Sequence, residues 1–318
     1  MSEMVRAYFA ADVHGSELVW RKWLNVPNVY NVNVMILAGD LTGKAIKTII
    51  KNEDGTYRVK LFGKEIKIYN EKELEQIKQQ LRDAAFYVHV CTKEEFEEMK
   101  ENQDKLDKLF TDSIVNNLNR WLDMAAEKVP KDVKVYVMPG NDDIFDIDDI
   151  IQKHDNVIYP LGKAIPFCFD YELISLEWVN PTPWKSPREC SEAELSKKLK
   201  ELEGQVACDW DKVICNFHCP PFNTKLDLAP KLDKKLRPVY FFGQAEAEHV
   251  GSKAIRKFIE EHQPLLGLHG HIHESYASDH IGNTLVLNPG SEYQQGILRG
   301  FIAELSKKGV ERWWKVEG

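Results

Sequence analysis

The order of apolar runs, helical patterns and turn signals predicts an α/β protein built from strand–helix–strand crossover units. Two observations carry that reading. Residues 6–11 form a short apolar run, a helix opens at Gly15-Ser16 and runs through Trp20 and Leu24, and residues 32–38 form a second apolar run. That order is a βαβ unit, whose sheet is buried on both faces. The second observation is that five apolar runs each end in ligand-type side chains: Asp12 with His14, then Asp40, Asn141, His218, and His271 with His273. In open sheets made from crossover units, function gathers at the carboxyl ends of the strands.

The elements follow in order. After Gly39-Asp40, residues 46–51 and 56–61 flank the turn signal Asn52-Glu53-Asp54-Gly55, and 64–69 adds a third strand. Residues 71–88 read as a helix. A long amphipathic helix is expected over 92–128, with Thr92 as its N-cap and a stripe of Phe96, Met99, Leu106, Phe110, Ile114, Leu118, Trp121 and Ala125 that either packs on the sheet or belongs to a cap or partner surface formed by part of the insertion. Residues 133–138 make a strand ending in Pro139-Gly140-Asn141-Asp142-Asp143, with a short helix over 147–154. Strands at 165–169 and 172–179, a Pro-rich loop at 180–187 holding Trp184, and a helix at 191–202 come next. The strand 212–217 ends in His218-Cys219-Pro220-Pro221. A loop rich in Pro and Lys leads to a helix after Gly251-Ser252, the strand 264–268, a strand at 284–287 and a closing hairpin of 301–305 with 312–316. No linker or internal repeat marks a boundary, so one domain spanning 1–318 is expected, with an insertion at about 43–130.

Composition narrows the function. The chain has 318 residues and a formal net charge of −8, with no long basic run. A broad grip on nucleic acid needs clustered Lys and Arg, so extended nucleic acid is disfavoured as a partner. No apolar run reaches the roughly 18 residues of a membrane span, and Met1 to Arg6 lacks the layout of a signal peptide; no membrane association and a cytoplasmic location are expected. The six cysteines form no CxxC pair, which favours reduced thiols.

The candidate site residues make chemical sense together. Residues i and i+2 of an extended chain point the same way, so His271 and His273 converge, as do Asp12 and His14. Neutral imidazole is the commonest nitrogen ligand of metals. Gly39, Gly140 and Gly270 directly precede ligand candidates, where a Cβ would block close approach. Singly, an aspartate after a strand is more often a helix cap than a ligand; five such strand ends in one chain argue for a shared site.

The set Asp12-Val13-His14, Gly39-Asp40, Gly140-Asn141-Asp142, His218 and Gly270-His271-Ile272-His273 resembles the calcineurin-like metallophosphoesterases. The resemblance spans residues 12 to 273 and includes an Asn-Pro-Gly-Ser turn at Asn288 to Ser291. It implies a two-sheet sandwich flanked by helices (α-β-β-α), here with a helical and hairpin insertion. It also implies two divalent metal ions and hydrolysis of phosphate esters. Carried over by position, Asp12, His14, Asp40 and His273 hold one ion, and Asp40, Asn141, His218 and His271 hold the second, with Asp40 bridging. Mixed N and O donors suit Mn, Fe, Zn or Ni without choosing among them. The implied reaction is in-line attack on phosphorus by a bridging hydroxide, and the expected substrate is a small-molecule phosphate ester, most readily a nucleotide or other phosphodiester.

Alternatives are a non-catalytic scaffold on the same fold, or a nuclease. A Ser/Thr phosphoprotein phosphatase is disfavoured, because Leu41-Thr42-Gly43 stands where that branch carries Asp-Arg-Gly. Asn141, Asp142 and His249 complete the candidate catalytic set. Asp142 stands where many members have a histidine; two nearby cations would keep it ionised, so hydrolysis should favour acidic leaving groups. His249 is the candidate to replace the missing acid, and Gly251 and Ser252, at a helix start, are either an anion site or an ordinary cap. Lys225 and Arg237 are candidate rim contacts.

Overall fold

The computed structural model describes residues 4–61 and 63–318; Met1 to Glu3, part of the stretch read above for a signal peptide, lie outside them. Among the described residues two large sheets face each other. In the first, Val5–Ala10 lies parallel to Val34–Ala38, which lies parallel to Lys134–Met138, and the antiparallel pair Arg299–Ser306 and Gly309–Glu317 closes the other edge. In the second, Glu172–Leu176, Val213–Phe217, Leu266–Leu268 and Thr284–Asn288 are all parallel neighbours, edged by Ile165–Pro166 and Ala277–Ile281. The strands that lead into the candidate ligands are therefore all in parallel ladders.

Alternation along each strand divides the core into layers. Ala7 and Phe9 face Ile214, Leu266, Leu268 and Leu285 of the other sheet, while Tyr8 and Ala10 point outward against Trp20, Trp23, Leu118 and Trp121. The outer face of the second sheet, with Ile174, Val213, Cys215 and Phe217, is covered by Leu195, Leu199, Ile255, Phe258 and Ile259. The result is the α-β-β-α sandwich expected from the resemblance. Trp20 stacks on Trp121 with centroids 4.7 Å apart and an interplanar angle of 8°, which joins helix Glu17–Leu24 to helix Gln103–Lys128.

Residues 45–92 add a separate four-stranded sheet, in the order Lys64–Ile68, Tyr57–Leu61, Ala45–Lys51, Phe86–Thr92. Its small core is Ile49, Tyr57, Val59, Ile68, Leu74 and Leu81. Two expectations are corrected here. The helix read over 71–88 ends at Asp83; Ala85 turns with φ 68°, and Phe86–Thr92 pairs parallel to Ala45–Lys51. The alternating aromatic and β-branched run Phe86-Tyr87-Val88-His89-Val90 suits a strand better than the end of a helix. The long helix over 92–128 is two helices, Lys93–Glu101 and Gln103–Lys128. Thr92 does cap the first, with Glu95 completing a capping box. The break falls at Asn102, whose extended backbone and side-chain acceptance of Lys105 N start a new helix.

A strand not read from sequence, Ala277–Ile281, pairs antiparallel with Thr284–Asn288 through a turn at Gly282. No helix among the described residues is long and apolar enough to cross a membrane.

Candidate metal centre

The parallel strands of both sheets deliver their carboxyl-end loops to one place. Asp12, His14, Asp40 and His273 offer donor atoms that all lie within 4.8 Å of one another, and Asp40, His218 and His271 do the same. The backbone is tightly cross-tied there: Asp12 N donates to Gly39 O at 3.0 Å, His14 N to Asp40 O at 2.9 Å and Gly270 N to His218 O at 2.9 Å. Asp12, His14, Asp40 and His271 have φ of 59°, 41°, 51° and 69°. Side chains with a Cβ rarely adopt such values, and the cost persists only where surrounding structure enforces it. Local propensity has been overridden at four of the seven candidate ligands.

The glycines before the ligands have a spatial reason as well. A Cβ on Gly270 would stand 2.6 Å from Ala11 Cβ and 2.8 Å from Asp12 Oδ2, and one on Gly140 would collide with the backbone and carboxylate of Asp40.

Asp40 is at the centre. Its Oδ2 lies 3.5 Å from His14 Nε2, and its Oδ1 lies 3.5 Å from His218 Nε2. Its two oxygens thus face different histidines. His14 Nε2 and His273 Nε2 point at each other across 3.0 Å, and His273 Nε2 and His218 Nε2 are each 3.8 Å from Asp12 Oδ1. His218 is oriented by Nδ1 against Ala38 O at 2.7 Å, which leaves Nε2 for the centre, 3.0 Å from Asn141 Oδ1. The Asn141 amide is oriented too: its Nδ2 donates to Ser186 Oγ at 2.8 Å and to Asp142 Oδ1 at 3.0 Å, so the oxygen faces inward. His271 N donates to both Asp12 oxygens, at 3.2 and 3.0 Å.

Burial and mutual charge set the protonation of these groups in the metal-free chain. Burial pushes Asp12 up to about 8, against the pull of His218. Burial also works against the Asp40 carboxylate, but His218 and then His14 outweigh it and hold Asp40 well below the usual carboxylate range. Burial disfavours a charged His218, yet Asp40 and then Asp12 raise it to about 10. Burial lowers His271 to about 3 and His273 to about 4, and takes His14 well below the ordinary histidine value. Near neutral pH, three neutral imidazoles, a protonated Asp12, the Asp40 carboxylate and a charged His218 share one buried cluster.

Several residues that shape this centre have no role assigned from sequence, although the Asn-Pro-Gly-Ser turn and Asp143 are visible there. Asp143 is fully buried and accepts from Leu41 N at 3.0 Å, Thr42 N at 2.9 Å, Thr42 Oγ1 at 2.6 Å and Gly140 N at 2.8 Å, which ties two ligand loops together. Arg188, only 1% exposed, donates from its guanidinium to Asp143 O and Ile144 O at 3.0 Å, and its backbone N donates to Asn141 O at 3.2 Å. Asn288 Nδ2 donates to Gly270 O and Ile272 O, and Ser291 Oγ to Asp12 O at 2.6 Å, so the Asn-Pro-Gly-Ser turn braces the ligand loops. Lys44 ion-pairs with Asp142, and the Tyr293 ring lies 4.8 Å from that of His14. Asp143 had a sequence signal, since it follows Asn141-Asp142 directly; Arg188 sits in a loop that carries none.

Other sequence expectations stand differently. Asp142 lies beside the centre, its backbone N donating to Asp40 Oδ1 at 3.0 Å. In the metal-free chain its carboxyl is raised by burial and by Asp40, with Lys44 opposing, so the ionised state expected above has Lys44 on its side but burial against it. His249 is held by Nδ1 against Asp227 Oδ1 at 2.7 Å and packs near Phe222; its contacts are with that loop rather than with the Asp–His cluster. Gly251 and Ser252 do not form an open anion site. Gly251 N is bonded to Asp227, Ser252 caps the helix Lys253–His262, and the N–H groups of Lys253 and Ala254 are already taken by the Glu192 carboxylate at 2.9 and 2.8 Å. The protein supplies its own anion there. Arg237 is bound to Asp233 within its own exposed turn.

No protein-family model matches the sequence. A stretch of 159 residues is 31% identical to the uncharacterized protein MJ1162 of Methanocaldococcus jannaschii, covering 49% of this chain and 64% of that protein; the match thus spans less than two thirds of the relative's length. Among solved structures, TT1561 of Thermus thermophilus aligns over 98% of both chains with a TM-score of 0.53 at 12% identity, and another crystal structure aligns over 99% of both with a TM-score of 0.57 at 13% identity. At these identities the likeness is one of fold. What the chain shares with these structures is the two-sheet α/β sandwich, and in this chain the Asp–His groups lie at its strand ends.

Proposed function

We propose that this chain is a metal-dependent phosphoesterase with two divalent ions, hydrolysing small-molecule phosphate esters. The observation that carries the reading is the orientation of Asp40: one oxygen faces His14 and the other His218, as a carboxylate shared between two ions requires. The donor set fits. His14 and His273 direct Nε2 atoms at each other across 3.0 Å, which as a hydrogen bond needs one ring in its Nε2–H tautomer and which also suits two nitrogens facing one cation. Asp12, His14, Asp40 and His273 would hold one ion, and Asp40, Asn141, His218 and His271 the other. Such a pair supplies positive charge to an anionic phosphate and makes water acidic enough to attack near neutral pH.

The protein's own part is positioning. Two carboxylates against two dications leave the pocket net positive within a chain of net charge −8, which favours capture of a small anion at one point over a broad polyanion surface. Asn141 adds a neutral donor, its oxygen aimed by Ser186, so it binds without cancelling charge. Asp142, beside the cluster and ion-paired with Lys44, would act as an ionised outer group rather than as an acid, and His249 could handle the leaving group's proton only if the substrate bridges to it.

The test is metal analysis of the purified protein together with turnover of graded aryl and alkyl phosphomonoesters and diesters in the presence of Mn, Fe, Zn or Ni. Bound metal and faster hydrolysis of esters with acidic leaving groups are expected. Protein that takes up no metal and cleaves no ester in the panel would remove the reading and leave a scaffold on this fold.

A further inference from the structure

Lys44 stands where the inserted sheet meets the candidate metal centre. The loop that leads to it is pinned on both sides: Leu41 and Thr42 are held by Asp143, and Gly43 N donates to Tyr87 Oη at 2.8 Å. The strand Ala45–Lys51 then begins at once. From this fixed base the Lys44 side chain reaches back toward the cluster and ion-pairs with Asp142 Oδ2, while Asp142 N is bonded to Asp40. The Lys44 side chain is 51% exposed and that of Asp142 is 21% exposed, so the pair lies where the cluster meets solvent.

We propose that Lys44 binds the phosphoryl group of the substrate through a non-bridging oxygen, and that Asp142 is the resting partner that holds the ammonium at the mouth of the site. This rests on the phosphoesterase reading. A surface ion pair on its own stabilises a fold by very little, so fold stability gives the pair little reason to exist. An ammonium is a flexible point charge with three donors, suited to following a phosphate oxygen. An arriving phosphoryl group offers it a stronger anion than one carboxylate, and exchange requires only rotation of an exposed side chain. Lys44 therefore adds a charge that discriminates by substrate charge: a dianionic monoester gains more from it than a monoanionic diester.

The experiment compares Mn-loaded wild type, Lys44→Met and Lys44→Arg, with metal content measured for each. Inorganic phosphate is titrated by calorimetry, and KM is measured for an aryl phosphomonoester and its methyl diester. Lys44→Met should bind phosphate about tenfold or more weakly, raise KM more for the monoester than for the diester, and keep its metals; Lys44→Arg should recover most of the loss. Unchanged phosphate affinity in Lys44→Met at equal metal content would overturn the inference while leaving the phosphoesterase reading intact. An equal loss for monoester and diester, or a loss traced to missing metal, would also overturn it. If wild type binds no phosphate and cleaves no ester, the underlying reading fails and this one with it.

Discussion

The sandwich and the inserted region solve different problems with the same chain. In the sandwich, buried residues fill the space between the sheets and both outer layers, and the strand-end loops are tied to one another so firmly that four ligand candidates hold left-handed backbone. In the insertion, a six-residue cluster supports four strands, and the helix Lys93–Glu101 buries no residue at all. Precision is concentrated where side chains must converge to within a few ångströms. The insertion touches that centre at its very beginning, through Lys44. Substitutions should therefore be severe in the strand-end loops and graded in the insertion.

Asp40→Asn should have the largest effect. One side chain faces both histidine sets, and losing its charge leaves His218 without the partner that holds its proton. Removing a residue that merely orients a ligand costs about 10–100-fold in metal affinity or activity, so a shared ligand should cost at least the upper end. Metal analysis showing wild-type occupancy with wild-type turnover would end the bridging assignment. Gly140→Ala comes next. The added Cβ meets Asp40 backbone and the His218 ring, neither of which can swing away. Overpacking of this kind costs about 1–3 kcal/mol, and the displaced Asp40 should lower metal content as well. A thermal melt and metal content both matching wild type would show that the loops have more slack than their hydrogen bonds suggest.

The contrast also explains what could be read from sequence. Strand ends are legible because the chemistry is local in sequence: an apolar run, a glycine, then a carboxylate or imidazole, as in Gly39-Asp40 or Gly270-His271. The supports of the ligand loops are not. Arg188 reaches Asp143 and Ile144 from a Pro-rich loop more than forty positions away in the chain, and no periodicity announces such a residue. Lys44 looks like one of many solvated lysines, since its meaning comes from where Asp142 ends up. The helix expected over 71–88 fails where pattern is weakest, at a boundary: the turn at Ala85 needs a left-handed residue, and alanine gives no such signal. Asn102, by contrast, has a readable signature as an N-cap, but one embedded in a continuous helical stripe.

The titration of the cluster gives a smaller, quantitative prediction. In the metal-free chain near pH 7, Asp12, raised to about 8, and His218, raised to about 10, both hold protons. Metals bind the deprotonated forms, so uptake should release protons, up to about two per site pair. The sign follows: metal affinity rises with pH between about 6 and 8, because fewer protons remain to be displaced. Calorimetry in buffers of different ionisation enthalpy reads the released protons directly. Buffer-independent heats of binding would mean that the ligands are already deprotonated and that the ion pairs of the metal-free cluster are drawn wrongly.

The smallest effect should lie within a single stripe of the insertion. Ile114, Leu118 and Trp121 on helix Gln103–Lys128 are buried against the first sheet's outer layer, whereas Phe96 and Met99, on the preceding helix, are only partly covered. The sequence places all five on one apolar face; the break at Asn102 divides them. Truncating a buried Ile or Leu leaves a cavity and costs about 2–5 kcal/mol, so Ile114→Ala should lower Tm by many degrees. Phe96→Ala removes a ring whose close partner is the ammonium of Lys100, 4.3 Å from its centroid, and should cost no more than about 1 kcal/mol. Neither variant touches the ligand loops, so metal content per folded molecule should stay at the wild-type value in both. Equal destabilisation by the two substitutions, measured by denaturant unfolding, would mean that the first insertion helix is packed in solution as firmly as the second, and that the division between a tightly built sandwich and a loosely attached insertion is drawn in the wrong place.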